Sequence, residues 1–327
     1  MIKFLQKIIF TLLISSLFSS FAFAQVMPLN GNLVLTPQNP GPYENVSIKL
    51  ESYSFDPTRS NITWTANNKI IKSGYGETSL SLKTGAAGTQ IIVRVSAITN
   101  DSQKYDAGIV LAPQSLDLVW EAIESYTPPF YKGKALPGEG SLVKITALPN
   151  FYSGGKKISA GDISYKWSLN SEVAQELSGF GRQTFTTYLD YLSNENEIKV
   201  VAQTLDGNSA EKRITIIPNK IDPVFYEYDP TLGPNYAHAL DNYLEIKKDL
   251  FLVVEPYFIS SKGGAASGLT YNWSLNGLPI TPSDNTHLTL HPKEGYSGVS
   301  TINVSISNSK RILQEIEKKI EISFGKN

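Results

Sequence analysis

The sequence predicts an all-β protein: three tandem β-sandwich domains behind an amino-terminal signal peptide. Three observations carry that expectation. Segments centred on a tryptophan recur at intervals of about a hundred residues, apolar and polar residues alternate around each of them, and the chain opens with an export-signal pattern.

The opening reads MIKFLQKIIFTLLISSLFSSFAFAQ. Lys3 and Lys7 form a charged n-region, Ile8 to Phe21 an apolar run, and Ala22-Phe23-Ala24 an A-x-A cleavage pattern. Residues 1–24 are therefore read as a signal peptide, with Gln25 opening the mature chain. The alternative is an uncleaved anchor, although the run falls short of the ~20 residues of a full span. No cysteine stands at the cleavage site to take a lipid.

Of 327 residues, 303 follow the signal, enough for two or three domains. The net charge of −1 becomes −3 once Lys3 and Lys7 are gone, and no basic stripe points to nucleic acid. No second apolar run approaches membrane-spanning length, so no stable span is expected after cleavage. The sequence holds no cysteine, which removes thiol catalysis, Cys-ligated zinc and disulfides and leaves core burial to hold the fold. Four N-x-S/T sequons, at Asn45, Asn61, Asn272 and Asn303, read as ordinary Thr/Ser-rich strand sequence.

The repeat is clearest in NITWTANN from Asn61, ISYKWSLN from Ile163 and LTYNWSLN from Leu269. Trp64 and Trp167 are 103 residues apart, and Trp167 and Trp273 are 106 apart. Ile163, Tyr165, Trp167 and Leu169 share one face, opposite Ser164, Lys166 and Ser168; Leu269, Tyr271, Trp273 and Leu275 repeat the arrangement. Period two belongs to a half-buried strand. It returns downstream in Ile91, Val93, Val95 and Ala97, in Ile198, Val200 and Ala202, and in Ile302, Val304 and Ile306. Upstream strands are expected at Val46, Val143 and Phe251, and a closing strand at Ile316 to Phe324. Asp206-Gly207 marks a hairpin whose two central residues are both expected at positive φ.

About seven short strands with one buried tryptophan on an early strand is an immunoglobulin-like sandwich pattern, with Trp64, Trp167 and Trp273 as the core residues between the sheets. The expected domains are 28–113, 114–219 and 220–327, with Pro113, Pro218 and Pro223 at the junctions and linkers short enough for a semi-rigid rod. The Trp-centred segments and the closing V-x-V strands resemble the immunoglobulin-like and PKD-like modules of bacterial cell-surface proteins, though the acidic calcium pattern of some such modules is missing. The stretches LTPQNPGPYENVSI from Leu35, PPFYKGKALP from Pro128 and FYEYDPTLG from Phe225 are similar to uncharacterised secreted proteins of candidate-phylum bacteria. The resemblance implies fold and surface location and no particular activity.

Two near copies, SGYGE from Ser73 and SGFGR from Ser178, follow the first two tryptophans. A phosphate cradle needs G-x-G-x-x-G opening a helix, and an alternating strand follows instead. The motif is read as a footprint of the repeat, lying in the connection that leaves the Trp strand. The third unit has LPITPSDNTH from Leu278 in its place.

No recognisable catalytic set is present. His287 and His291, at i and i+4 on a strand, lie about 13 Å apart at roughly 3.3 Å per residue, too far to share a metal, and His238 is remote. No nucleophile elbow occurs, and the scattered acids show no EF-type spacing at Asp241-Asn242 or Asp284-Asn285. The expectation is therefore no catalytic residue, no metal and no cofactor. The stretches that open domains two and three hold the candidate partner- or glycan-binding residues Phe130, Tyr131, Phe225 and Tyr226. Aromatics beside prolines either stack on sugars and anchor partners or fill the interface with the preceding domain. The function read from this is a non-catalytic, exported structural or adhesion protein of the cell surface or an appendage, binding an envelope protein or glycan. A carbohydrate-binding module of a polysaccharide-processing system is the alternative and requires those aromatics to be exposed. An enzyme would require a deep acidic pocket between domains.

Overall fold

The computed structural model describes residues 32–129, 131–261, 268–282, 284–293, 295–311 and 313–325. The segment 1–24, read above as a signal peptide, and Phe130 lie outside the described residues. The chain divides into two compact units, one of Met1–Gly85 with Gln90–Ala112 and one of Ala86–Thr89 with Pro113–Asn327. Among the described residues no α-helix occurs and no helix is long and apolar enough to cross a membrane.

The first unit is a sandwich of β1 (Asn32–Thr36), β2 (Asn45–Glu51), β3 (Asn61–Ala66), β4 (Lys69–Tyr75), β5 (Ser79–Lys83), β6 (Ile91–Ile98) and β7 (Lys104–Leu111). One sheet has the order β1-β2-β5 and the other β4-β3-β6-β7. Strict alternation along β2 sends Val46, Ile48 and Leu50 inward to meet Ile62, Trp64, Val93 and Val95 from the facing sheet. Fully burying one such apolar side chain contributes about 1.5–3 kcal/mol, and in a chain without disulfides this is the main source of stability.

The second unit holds two such cores. The first of them lies between β8 (Ser115–Ala122), β9 (Leu142–Asn150) and β15 (Thr184–Tyr188) on one side and β12 (Ser164–Leu169), β13 (Glu172–Val173), β16 (Asn196–Gln203) and β17 (Ser209–Ile216) on the other. Short strands β10 (Tyr152–Ser153) and β11 (Lys156–Lys157) pair together, and β14 (Gly179–Phe180) pairs with β12. The sheet orders, β15-β9-β8 and β13-β12-β16-β17, repeat those of the first unit. Trp167 stacks on Phe185 at 5.3 Å between ring centres.

The remaining core lies between sheets β19-β18-β21-β24 and β20-β26-β25-β22-β23. Their strands are β18 (Asp222–Asp229), β19 (Gly233–Ala239), β20 (Tyr243–Ile246), β21 (Leu250–Tyr257), β22 (Leu269–Leu275), β23 (Leu278–Ile280), β24 (His287–Leu290), β25 (Gly298–Asn308) and β26 (Glu315–Phe324). Strands β19 and β20 have no counterpart in the other two sandwiches. β19 folds back along β18, and β20 pairs parallel with β26.

Two local expectations are corrected. The hairpin after β16 is not a two-residue turn with positive φ at both centres: among its residues only Gly207 has positive φ, at 88°. Thr204 N–H donates to the Asn208 carbonyl at 2.9 Å, and the Thr204 hydroxyl donates to Asp206. This closes a wider loop in which one residue bends left. The loop after β6 is built alike, with Thr99 N–H donating to Gln103 at 3.0 Å and Ser102 at φ 65°. The S-G-aromatic-G stretch, moreover, is not a free connection. Tyr75 pairs with Asn61 and Gly74 with Ile62, as Phe180 pairs with Ser164 and Gly179 with Tyr165. The motif lies on the strand that returns along the Trp strand.

Candidate ligand-binding face of the third sandwich

Alternation along β18 decides where its aromatics go. Phe225 pairs with Val254 and faces the core, its ring centre 6.0 Å from that of Trp273. Tyr226 pairs with Val253 and points to the opposite, outer face of the sheet. Neither is available to a ligand: Phe225 is 1% exposed and Tyr226 6%. Of the two readings open for these candidate binding residues, their burial fits the one in which they fill the fold. Tyr226 is covered because Tyr236, on the additional strand β19, packs edge-on against it at 5.2 Å, and its hydroxyl meets that of Tyr257 at 2.8 Å. Tyr131 remains 37% exposed and packs edge-on against Tyr257 at 5.8 Å and Phe258 at 6.1 Å.

The loop between β8 and β9 brings Tyr131 here, because it docks on the end of β21. Tyr126 N–H donates to the Ile259 carbonyl, and Phe258 N–H to the Tyr126 carbonyl, both at 2.8 Å. A buried polar cluster ties the same two sandwiches together. Gln314, 2% exposed, donates from Nε2 to the Glu139 carbonyl at 2.7 Å and to Ser260 Oγ at 2.9 Å. Its Oε1 accepts from Ser260 N–H at 2.9 Å and Asn308 Nδ2 at 3.1 Å. Arg311 pairs with Glu124 at 2.9 Å and lies over the Tyr188 ring.

Glu255 is 5% exposed and accepts from two phenols, Tyr126 and, at 2.6 Å, Tyr236. Burial, and then the hydrogen bond to Glu255, hold the Tyr126 and Tyr236 hydroxyls well above the ordinary tyrosine range. Burial and the bond to Tyr226 do the same for Tyr257. These tyrosines are neutral, and their hydrogen bonds fix the sheet face.

Beyond them, at the β18–β19 turn, opens a groove of about 910 Å³, with Glu227, Tyr228, Asp229, Asn235, Lys247, Lys248, Asp249 and Phe251 among its walls. Tyr228 and Phe251 have the outward parity of Tyr226 and Val253, and Tyr228 packs edge-on against His287 at 4.6 Å. Asp229 is occupied, accepting from Leu232 N–H at 2.9 Å and Thr231 N–H at 2.7 Å, bonds that lower its pKa. Asp249 pairs with His291 at 3.0 Å. Among the described residues the side chains of Glu227, Lys247 and Lys248 and the Tyr228 hydroxyl make no hydrogen bond or ion pair.

Among the described residues no three His, Asp or Glu side chains converge as a metal would require. Asp284, one of the acids weighed for calcium, instead accepts from the Thr286 backbone at 2.8 Å and its hydroxyl at 2.9 Å. No local motif marks the groove, whose walls come from three separate stretches of sequence. A visible signal was the long run between the strands at Phe225 and Phe251, where the first unit passes from β1 to β2 directly.

No family model matches the chain, and no curated protein matches it. Solved structures do. The fibronectin(III)-like modules of Clostridium thermocellum CbhA are 13% identical over 58% of this chain and 95% of theirs, with a TM-score of 0.29. The central fibronectin-III array of RIM-binding protein is 10% identical over 92% and 98%, TM-score 0.29. A structure of a 1.5-MDa bacterial ice-binding adhesin is 10% identical over 91% and 96%, TM-score 0.24. The fold is decided by the chain's own sheets and cores. It is a tandem array of immunoglobulin-like β-sandwiches.

Proposed function

We propose that this chain is an exported, non-catalytic binding protein of the bacterial cell surface or an appendage, with three domains at about 28–113, 114–219 and 220–327. In this reading the sandwiches are scaffold, and the outer face of the third makes the contact with an envelope protein or glycan. The observation that carries it is the added strand β19. The first two sandwiches complete their cores without it, and here its first residues, with the end of β18 and the stretch from Lys247 to Phe251, wall an open groove that carries unpaired polar side chains. The leader pattern at residues 1–24 and the resemblance to bacterial surface modules support the location.

In-cell crosslinking of intact envelopes, followed by recovery of the chain, tests the proposal. The expected result is a crosslink to envelope protein or glycan that weakens when Tyr228 and Phe251 are both replaced by Ala. Recovery of the chain from the cytoplasm, or uncrosslinked from the medium, would overturn the reading.

A further inference from the structure

We infer that the groove beside the β18–β19 turn binds a neutral oligosaccharide chain, an inference that rests on the proposed binding role of this face. Tyr228 and Phe251 are half-buried at the groove wall, and Tyr228 packs edge-on against His287. A sugar ring offers aliphatic C–H faces to such side chains and hydroxyls at its rim, an amphipathic match for a ring with an apolar body and a polar surround.

The polar groups left over are mixed in kind. Glu227 can only accept, Lys247 and Lys248 can only donate, and the Tyr228 hydroxyl can do either. None has a partner among the described residues. Sugar hydroxyls donate and accept at once, so one ligand satisfies all of them. An anionic ligand fits less well. Its three carboxylates (Glu227, Asp229 and Asp249) offset its two ammonium groups, so uronate or phosphate meets no net positive charge to hold it.

Size and shape point the same way. The groove is open to solvent, and its volume of about 910 Å³ exceeds the need of one sugar. It suits several residues of a chain passing through better than an enclosed terminal sugar.

The test is titration of the purified full chain with soluble β-glucan, mannan and galactan, with polygalacturonate as the anionic probe, by affinity electrophoresis and calorimetry. At least one neutral polymer is expected to bind, with affinity falling tenfold or more in Tyr228→Ala and in Phe251→Ala, and several-fold in Glu227→Gln. Unchanged thermal melting of the Glu227→Gln variant guards against a folding artefact. Preferential binding of polygalacturonate would overturn the inference, as would neutral-polymer binding that all three variants leave intact. If no polymer binds while the envelope crosslink persists, depends on Tyr228 and Phe251 and is made to protein, the ligand is a protein: the saccharide inference falls and the surface reading stands. Loss of both binding and crosslink overturns both.

Discussion

Trp64 donates its indole N–H to the backbone carbonyl of Glu77 at 2.7 Å. The contact recurs as Trp167 to Arg182 at 2.7 Å and Trp273 to Asn285 at 2.8 Å. In the first two sandwiches the acceptor directly follows the second glycine of the S-G-aromatic-G stretch. Gly76 N–H donates to Ser60 and Gly181 N–H to Ile163, each at 2.9 Å, and both glycines have left-handed φ, 71° and 68°. The turn therefore swings the next carbonyl under the buried indole. The third sandwich reaches the same end without glycine, through the Asp284 turn.

The first prediction follows from that geometry. Trp64→Phe leaves a cavity and strands the Glu77 carbonyl, for an expected loss of ~2–4 kcal/mol. Gly76→Ala forces a side chain into the left-handed region, a cost of ~1–2 kcal/mol, and places its Cβ 2.9 Å from the Thr58 carbonyl oxygen. Urea unfolding followed by far-UV circular dichroism checks both. A Gly76→Ala chain as stable as the parent would show that the turn does not depend on glycine.

A second prediction concerns alkaline pH. The Tyr126, Tyr236 and Tyr257 hydroxyls are held above the ordinary range by burial first and by hydrogen bonding second. In the unfolded chain they ionise near pH 10. Their raised folded-state pKa gives stability that is fully present below that value and is lost as pH rises beyond it, because the unfolded chain releases its protons first. The urea midpoint of the transition that includes the third sandwich should fall steeply above pH ~10, and less steeply in Tyr257→Phe. A midpoint that is flat across that range would contradict the buried-phenol account.

How much of this was legible depended on whether the signal was local. Trp64, Trp167 and Trp273 announce their strands because period two is written in adjacent residues, and all three are buried as the pattern requires. Whether Phe225 and Tyr226 serve as binding residues or as filling is only partly a local matter. Neighbours on a strand point to opposite faces, and in this register Phe225 is the one turned into the core. Tyr226 should still have been open on that logic, and it is closed by Tyr236, a contact that exists only once β19 has folded back. The groove has the same origin: Glu227, Lys247 and Phe251 become neighbours through chain reversal, which no window of sequence contains.

The third prediction separates two kinds of contact between the second and third sandwiches. Gln314→Ala removes a side chain whose amide satisfies the Glu139 carbonyl, Ser260 N–H, Ser260 Oγ and Asn308 Nδ2 in a buried site. Unmade bonds at buried backbone groups cost about 1–3 kcal/mol each. Arg311→Ala breaks an ion pair whose Arg311 side chain is 26% exposed and whose Glu124 side chain is 13% exposed. Solvent reaches only part of that pair, so its loss falls between the ~0–1 kcal/mol of an exposed pair and the ~3–5 kcal/mol of stranding a buried charge. Gln314→Ala is therefore expected to be the more damaging, splitting the shared melting transition of the two sandwiches and exposing the 123–141 loop to protease. Arg311→Ala should leave one transition, lowered in midpoint. Differential scanning calorimetry with limited proteolysis distinguishes them. If Arg311→Ala splits the transition and Gln314→Ala does not, the junction is held by charge at its rim and not by the satisfied amide cluster inside it.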